Sequence, residues 1–249
     1  MRFMKRTLLC LAIGLTPLLA HAGCEDNFQK WTTQLHPGRA LDTEHAVCKV
    51  WPANEALTIA ALPLPQKSSN DDEGTDDLEV LVADSASGTI IAHQFQKGAI
   101  TYDAMQLSSL TLDTARYQLT PQNRAFGVRV FHEGMSRVNP AGQSVLSLYV
   151  IDGQSLRTVV DRLIVGDSNG DWDGNCAGTF NETTRTLDIG PAGKDGYAAL
   201  KVAEKSVETV NTGTTANCVD HAKPAKRANF TLEYRNGKYG VPKGMQYVD

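Results

Sequence analysis

The residues best suited to bind a ligand form a polar string at residues 167–176. Its oxygen-bearing side chains alternate along the chain at Asp167, Asn169, Asp171 and Asp173. In a tight loop this spacing turns successive oxygens to the same side, and a hard cation such as Ca²⁺ prefers several oxygen ligands at once. These four residues are therefore candidate calcium ligands, and calcium is the one cofactor that the sequence suggests.

From Asn169 onward, the pattern N-x-D-x-D-G resembles the first half of the calcium loops of EF-hands and integrin-type repeats. The resemblance covers six residues and then ends, because Phe180 stands where an EF-hand has Glu and Ala177 where an integrin-type loop usually has Asp. The alternative is a plain turn tied down by Cys176. Since Asn-Gly and Asp-Gly are turn-forming pairs, turn chemistry alone explains the string, and it is the favoured interpretation.

A second group of candidate binding residues combines arginine with aromatic side chains. Arg129 lies on the strand predicted at 125–131, and Arg124 lies directly before it. Tyr117 precedes this strand, and Trp172 lies within the polar string. Arginine, tyrosine and tryptophan are typical of binding hot spots. Because valines flank Arg129 on both sides, its side chain is expected on the strand face opposite to theirs. A strand with one ordinary solvated face explains the same residues, and it is the favoured interpretation.

Sequence motifs for catalysis are absent. The chain has no G-x-S-x-G, no P-loop and no H-E-x-x-H, since Ser136 stands where a zincin that begins with His132-Glu133 would need its second His. The histidines of the mature chain are scattered, and none has a partner at ligand spacing: His36, His45, His93, His132 and His221. A site assembled in space from distant residues stays open, as does a glycosidase-type carboxylate pair, but no catalytic residue is assigned.

The first 22 residues predict a secretory signal peptide. Arg2, Lys5 and Arg6 precede an apolar run, and an A-x-A site ends at Ala22. The run is shorter than the roughly 20 residues that span a bilayer, so a cleaved signal is favoured over an anchor. A lipidated Cys24 is the alternative, although His21 replaces the aliphatic residue usual three positions before such a cysteine. We expect a periplasmic or secreted protein without a transmembrane segment.

The net charge restricts which partners the protein can bind, and the cysteine content indicates the compartment in which it folds. Loss of the three basic residues of the signal lowers the formal net charge from −4 to −7, which argues against nucleic acid as a partner. The mature chain keeps four cysteines: Cys24, Cys48, Cys176 and Cys218. An even number in an exported protein predicts two disulfides. Of the three possible connectivities we favour Cys24–Cys48 with Cys176–Cys218, because each closes a moderate loop.

Hydrophobic patterning predicts one short helix followed by many strands. Apolar residues spaced by three and four place the helix within 23–43. Period-2 alternation and β-branched runs predict strands at 78–83, 89–95, 107–112, 125–131, 144–151, 155–165, 185–189, 198–203 and 229–234. Turn residues separate them, and Asn236-Gly237 between alternating residues is the strongest hairpin signal.

The fold class expected from these elements is all-β: an antiparallel, hairpin-rich sandwich or barrel with a short N-terminal helix. The alternative is a small β-propeller, because several strands end in an aliphatic residue followed by Asp. Residues 23–249 are expected to form a single β-rich domain whose first segment, 23–50, is tied by a disulfide.

The leading functional hypothesis is a non-enzymatic binding protein for another protein or a cell-envelope component. It follows from an exported, disulfide-bonded β scaffold whose sequence lacks catalytic motifs. The alternative is a periplasmic hydrolase acting on carbohydrate or cell-wall material, with a site formed only in the fold.

Overall fold

The computed structural model of this chain describes residues 23–67 and 73–248. The predicted signal peptide, residues 1–22, lies outside the described residues. About 64% of the described residues are in strands and 7% in helices, which confirms the all-β fold with a short N-terminal helix.

The secondary structure runs from a short helical segment into fourteen strands. A 3₁₀ turn (Cys24–Asn27) leads into helix α1 (Phe28–Leu35), and a second 3₁₀ turn (Lys243–Met245) lies near the C-terminus. The strands are β1 (Val47–Val50), β2 (Leu57–Pro65), β3 (Gly74–Asp84), β4 (Ile90–Tyr102), β5 (Met105–Gln118), β6 (Arg124–Gly134), β7 (Ala141–Asp152), β8 (Ser155–Trp172), β9 (Gly178–Ala192), β10 (Ala198–Thr214), β11 (Asn217–Ala222), β12 (Lys226–Leu232), β13 (Tyr234–Arg235) and β14 (Lys238–Tyr239).

The first eight strands form a nearly closed, barrel-like sheet. Their order is β1-β2-β3-β4-β8-β7-β6-β5, and β1 lies in contact with β5, which brings the two ends of the order together. Neighbours pair antiparallel except β4 and β8, which meet in parallel at one bridge, His93 with Ser155. Because strands β1–β12 belong to one sheet, the alternative of a small β-propeller with separate blades is wrong.

A long β-arm continues the sheet away from the barrel. The second half of β8 pairs with β9, β9 pairs with β10, and β10 carries β12 and β11 along its other edge. The disulfide Cys176–Cys218 ties the turn after β8 to β11, and Cys24–Cys48 ties the N-terminal segment to β1. Both predicted disulfides and their predicted connectivity are confirmed. Since the sulfur of Cys24 lies in a disulfide, the lipidated alternative does not fit this structure.

The apolar core has three parts. One fills the barrel with residues from β2 through β8, among them Val80, Phe126 and Tyr149. A second lies outside the barrel, between β7 and β8 on one side and β10 and β12 on the other. The third lies beneath α1, whose Trp31 is 1% exposed and donates its indole N–H to the carbonyl of Gly88 at 2.8 Å. Strand β3 is buried on both faces because the barrel interior and α1 cover opposite sides of it.

The predicted hairpin at Asn236-Gly237 is confirmed by its backbone. Both residues have positive φ, 53° and 88°, as a type I′ turn requires. The turn joins β13 to β14 and pairs Tyr234 with Tyr239. Within the described residues, the structure contains no helix that is both long and apolar enough to cross a membrane.

Candidate functional site

A cleft opens in the barrel wall where β4 and β8 separate beyond their single bridge. It has a volume of about 290 Å³ and lies between residues 96–99 of β4 and Asp161 and Arg162 of β8. We call it the β4–β8 cleft. Side chains span the neighbouring gap: Thr158 Oγ1 donates to Gln94 Oε1 at 3.0 Å, and the hydroxyl of Tyr149 donates to Gln96 Oε1 at 2.7 Å. The first bond joins β8 to β4, and the second joins the neighbouring strand β7 to β4.

The backbone of β8 is irregular at the cleft. Arg162 has a φ of 49°, a left-handed conformation that is uncommon for a residue other than glycine. The register between β7 and β8 shifts at residues 146–149, and Ser147 Oγ accepts the backbone N–H of Arg162 at 3.1 Å. Bulges of this kind redirect side chains and are frequent next to functional sites. Here the irregularity brings Asp161 and Arg162 to the cleft.

The inner wall of the cleft is apolar and continuous with the barrel core. Leu78, Val128, Val130 and Val145 line it, and the first two are 3% and 1% exposed. A molecule that enters between the strands therefore meets the side chains of the barrel interior. Burial of apolar surface against such a wall is the main favourable contribution to ligand binding in pockets of this type.

The polar lining of the cleft includes one deeply buried phenol. Tyr149 is 1% exposed, and burial raises the pKa of its hydroxyl, as does the nearby negative charge of Asp161. The hydroxyl therefore stays protonated at neutral pH and acts as a donor. Lys97 and Arg162 also line the cleft, so cationic side chains outnumber the carboxylate of Asp161 among the described lining residues.

The C-terminal segment closes one side of the cleft. Gln246 forms a β-bridge with Leu163, and the backbone N–H of Tyr247 donates to the carbonyl of Arg162 at 2.9 Å. The ring of Tyr247 lies parallel to that of His132, with the centroids 5.5 Å apart. His132 is 3% exposed and lies on the same face of β6 as the barrel-interior valines. Sequence reasoning left His132 among the scattered histidines, although its period-2 spacing from Val128 and Val130 was a usable signal.

Tyr117 and Arg129 meet in a different place, on the outer face of the barrel. Tyr117 is 4% exposed; its hydroxyl donates to Asp113 Oδ2 at 2.8 Å, and Arg129 Nη2 donates to the same oxygen at 2.6 Å. Arg129 therefore faces away from its flanking valines, as predicted. Its partner is a half-buried carboxylate, so Tyr117 and Arg129 form an internal polar cluster. They do not form an exposed hot spot.

The other two candidate binding residues lie outside both places. Arg124 is half-buried at the start of β6, where it pairs with Gln118. Trp172 is half-buried at the end of β8, where its backbone N–H donates to the carbonyl of Val138 at 2.8 Å. Neither residue lines the β4–β8 cleft.

The candidate calcium ligands do not form one tight loop. Asp167, Asn169 and Asp171 lie on β8, which continues to Trp172, so the loop expected over residues 167–176 is wrong for its first part. Asp173 does begin a turn, since its Oδ1 accepts the backbone N–H groups of Asn175 and Cys176. The tight loop does not form because the oxygens at 167 and 169 bond to neighbouring strands, to Gln143 and Asn181.

A different group of residues has potential metal-ligand atoms close together. Among the described residues, three ligand atoms of His, Cys, Asp or Glu come within 4.8 Å of one another only at Cys24, Glu25 and Cys48. The two cysteines of that group are joined in a disulfide, so their sulfurs are not available as thiolate ligands.

A second polar cluster lies where the N-terminal segment covers the sheet. The carboxylate of Glu79 has no exposed surface; His36 Nε2 lies 2.6 Å from one oxygen and His93 Nδ1 lies 3.0 Å from the other. Nearby, Arg39 Nη1 donates to Asp77 Oδ2 at 2.9 Å. Three parts of the chain bring these residues together: the segment that follows α1, strand β3 and strand β4. This explains why the histidines look scattered in the sequence.

No protein-family model matches the chain, and no curated protein or solved structure is significantly similar to it. Functional interpretation therefore depends on the sites themselves.

Proposed function

We propose that this protein binds a small amphipathic ligand in the β4–β8 cleft. The observation that carries the proposal is the continuity between the cleft and the barrel core, with Val130 and Val145 on the inner wall and charged groups at the strands that flank it. An apolar group inserted there contacts the valines, while a polar head group stays near Lys97 and Arg162. Because cations exceed anions in the described lining, we assign the head group a negative charge.

The size of the cleft restricts the ligand. Its volume of about 290 Å³ is at the lower end of the range of about 300–1,000 Å³ typical of ligand pockets. A short acyl chain, or one end of a larger envelope component, suits this volume. Two disulfides indicate an oxidising compartment, which agrees with an exported protein that meets such molecules in the periplasm or outside the cell.

Calorimetric titration of the mature protein with decanoate tests this proposal. We expect saturable binding at one site, and weaker binding of decyltrimethylammonium, which has the same chain and a positive head. Replacement Val130→Phe fills the cleft and should weaken decanoate binding at least about tenfold. The matched control, Val219→Phe, places the same ring on the exposed strand β11 and should leave binding unchanged.

A folding check keeps the test decisive. If Val130→Phe fails to fold, Ala99→Leu is the substitute variant. Ala99 lies half-buried on β4 at the rim of the cleft, so the larger side chain narrows the cleft from there. Decanoate binding that is equally strong in the wild type and in a folded cleft variant would contradict the proposal. So would an absence of binding by the wild type.

A hydrolase is the second candidate, because Asp161 and His132 line the same cleft as the Tyr149 hydroxyl. An acid and a histidine in one cleft are common components of hydrolytic sites. The test is hydrolysis of 4-nitrophenyl decanoate by the wild type and by Asp161→Asn. Turnover that is lost in Asp161→Asn, while decanoate binding persists, would favour the hydrolase; equal rates in both proteins would favour the binding protein.

A further inference from the structure

A second concave surface lies at the base of the β-arm, between two hairpin tips. The end of β9 and the β9–β10 connection, residues 191–197, form one side, and the end of β12 with the Asn236-Gly237 hairpin forms the other. The groove between them has a volume of about 730 Å³, within the range of about 300–1,000 Å³ typical of ligand pockets. We call it the tyrosine groove.

Two stacked tyrosines line this groove. The rings of Tyr197 and Tyr234 lie with centroids 3.7 Å apart and planes 6° from parallel. Arg157 bonds to both hydroxyls, through Nη1 to Tyr234 at 2.8 Å and through Nη2 to Tyr197 at 3.2 Å. Behind them, Tyr239 packs edge-on against Tyr234 and donates its hydroxyl to the carbonyl of Ala198 at 2.6 Å. The tyrosine pair is thus held in place before any ligand arrives, which lowers the ordering cost of binding.

Charged side chains surround the tyrosine pair. Lys194, Lys201 and Arg235 line the groove together with Asp195 and Glu233. A smaller depression of about 370 Å³ continues it past Arg235 and adds Lys238. Among the described residues that line the two depressions, four are basic and two are acidic, on a chain whose formal net charge is −4. The groove is therefore a basic surface on an acidic protein.

This combination suits a ligand that has a flat apolar face, many hydroxyls and a negative charge. Aromatic rings offer a flat apolar surface with a polar edge. Lys201 Nζ, which donates to Thr231 Oγ1 at 2.9 Å, and the other basic groups offer charged donors to hydroxyls and carboxylates. Sugar rings present C–H faces to aromatic side chains, and uronic or other acidic sugars add the carboxylate.

We propose that the tyrosine groove binds an anionic saccharide. This site is separate from the β4–β8 cleft, and the proposal goes beyond the function assigned to that cleft. The sugar ring lies against the face of Tyr197 that Tyr234 does not cover, and its carboxylate pairs with Lys194 or Lys201. A single-stranded oligonucleotide also combines stacking with negative charge. The acidic balance of the whole chain and its two disulfides favour the saccharide.

Calorimetric titration of the mature protein with tetragalacturonate tests the proposal, with neutral maltotetraose as the uncharged comparison. We expect the acidic saccharide to bind more tightly. The charge reversal Lys194→Glu with Lys201→Glu should weaken tetragalacturonate binding at least about tenfold. The matched control, Lys49→Glu on the exposed side of β1, should leave it unchanged.

A separate variant tests the contribution of the stacked tyrosines to binding. Tyr197→Leu should weaken both saccharides, whereas the charge reversal should affect mainly the acidic one. Near-UV circular dichroism and decanoate binding then report whether each variant retains its fold and the β4–β8 cleft. Equal binding of tetragalacturonate by the wild type and the charge-reversed protein would overturn the proposal, as would no binding by the wild type. Tighter binding of oligothymidylate than of either saccharide would assign the groove to nucleic acid instead.

Discussion

Nε2 of His36 lies 2.6 Å from Oε2 of Glu79, a carboxylate with no exposed surface. His36 follows the last turn of α1, and Glu79 lies in the middle of β3 beneath it. A buried carboxylate without partners is costly, so its bonds to His36 and His93 are needed to keep it there. The pair consequently fastens the N-terminal segment to the barrel at a point midway along the loop that the Cys24–Cys48 disulfide closes.

Removal of the Glu79 carboxylate should therefore destabilise the protein. Glu79→Ala leaves a cavity and two histidines without their acceptor, and we expect the free energy of unfolding to fall by about 2–3 kcal/mol. Urea denaturation of the mature protein measures it. The control is Glu208→Ala, which breaks the exposed pair with Lys223 and should cost less than about 1 kcal/mol. Equal losses in both variants would show that the buried pair has no special role.

The Asp113 cluster predicts a stability change that depends on pH. Burial raises the pKa of Asp113, but hydrogen bonds from the Ala115 backbone, Tyr117 and Arg129 outweigh it and hold the pKa below its usual range. A carboxyl whose pKa is lower in the folded than in the unfolded protein stabilises the folded state at pH values above the unfolded-state pKa. This stabilisation is lost as the pH falls through the folded-state pKa. Arg129→Met should thus cost about 2–3 kcal/mol at pH 7 and less at pH 3. Urea curves at the two pH values measure the difference, and an equal loss at both would contradict this account.

Asp76 should make stability depend on pH in the opposite direction from Asp113. Burial, followed by the negative charge of Asp42, raises its pKa to about 6. A raised pKa means that the folded protein favours the protonated carboxyl of Asp76. Its contribution to the stability of the folded state is therefore present below the unfolded-state pKa near 4, and it is lost as the pH rises through 6. Asp76→Asn keeps a neutral side chain at every pH and should raise the free energy of unfolding at pH 8 by about 2 kcal/mol, with little effect at pH 4. A gain of the same size at both pH values would exclude the titration of Asp76 as its cause.

Local patterns predicted much of the secondary structure, and one missed strand shows their limit. Strand β2 contains Pro63 and Pro65, and prolines argue against a central strand. They are tolerated because β1 pairs with β2 only as far as Ala61. The carbonyl of Pro63 accepts the N–H of Asp42, which lies on the side of β2 away from β3. The proline nitrogens face that same side. Since no strand pairs with β2 there, the missing N–H groups break no strand pairing. Only the tertiary structure reveals which edge of a strand is free.

Local sequence patterns could not predict the β4–β8 cleft either, because it too depends on the tertiary structure. Three strands separate β4 from β8 in the chain, and their contact forms only when the sheet curls into a barrel. The alternation that identified β6 does put His132 on the face of Val128, but alternation alone does not say which face is enclosed. The Asp113 cluster shows the converse, because a pattern of Arg and Tyr typical of an exposed hot spot is satisfied internally by one carboxylate.

Calcium should have little effect on the stability of the β-arm. Residues on one face of a strand are about 6.6–6.8 Å apart, whereas the ligands of one Ca²⁺ each lie about 2.3–2.6 Å from the ion. Asp167, Asn169 and Asp171 follow that strand spacing on β8, and Asp173 is engaged by the next turn. Thermal unfolding in excess Ca²⁺ and in EDTA should consequently give the same Tm to within about 1 °C, since a ligand raises Tm only when it binds the folded state. A higher Tm in Ca²⁺ that disappears in Asp171→Asn, but persists in the control Asp195→Asn at the tip of another hairpin, would restore the calcium site predicted from the sequence.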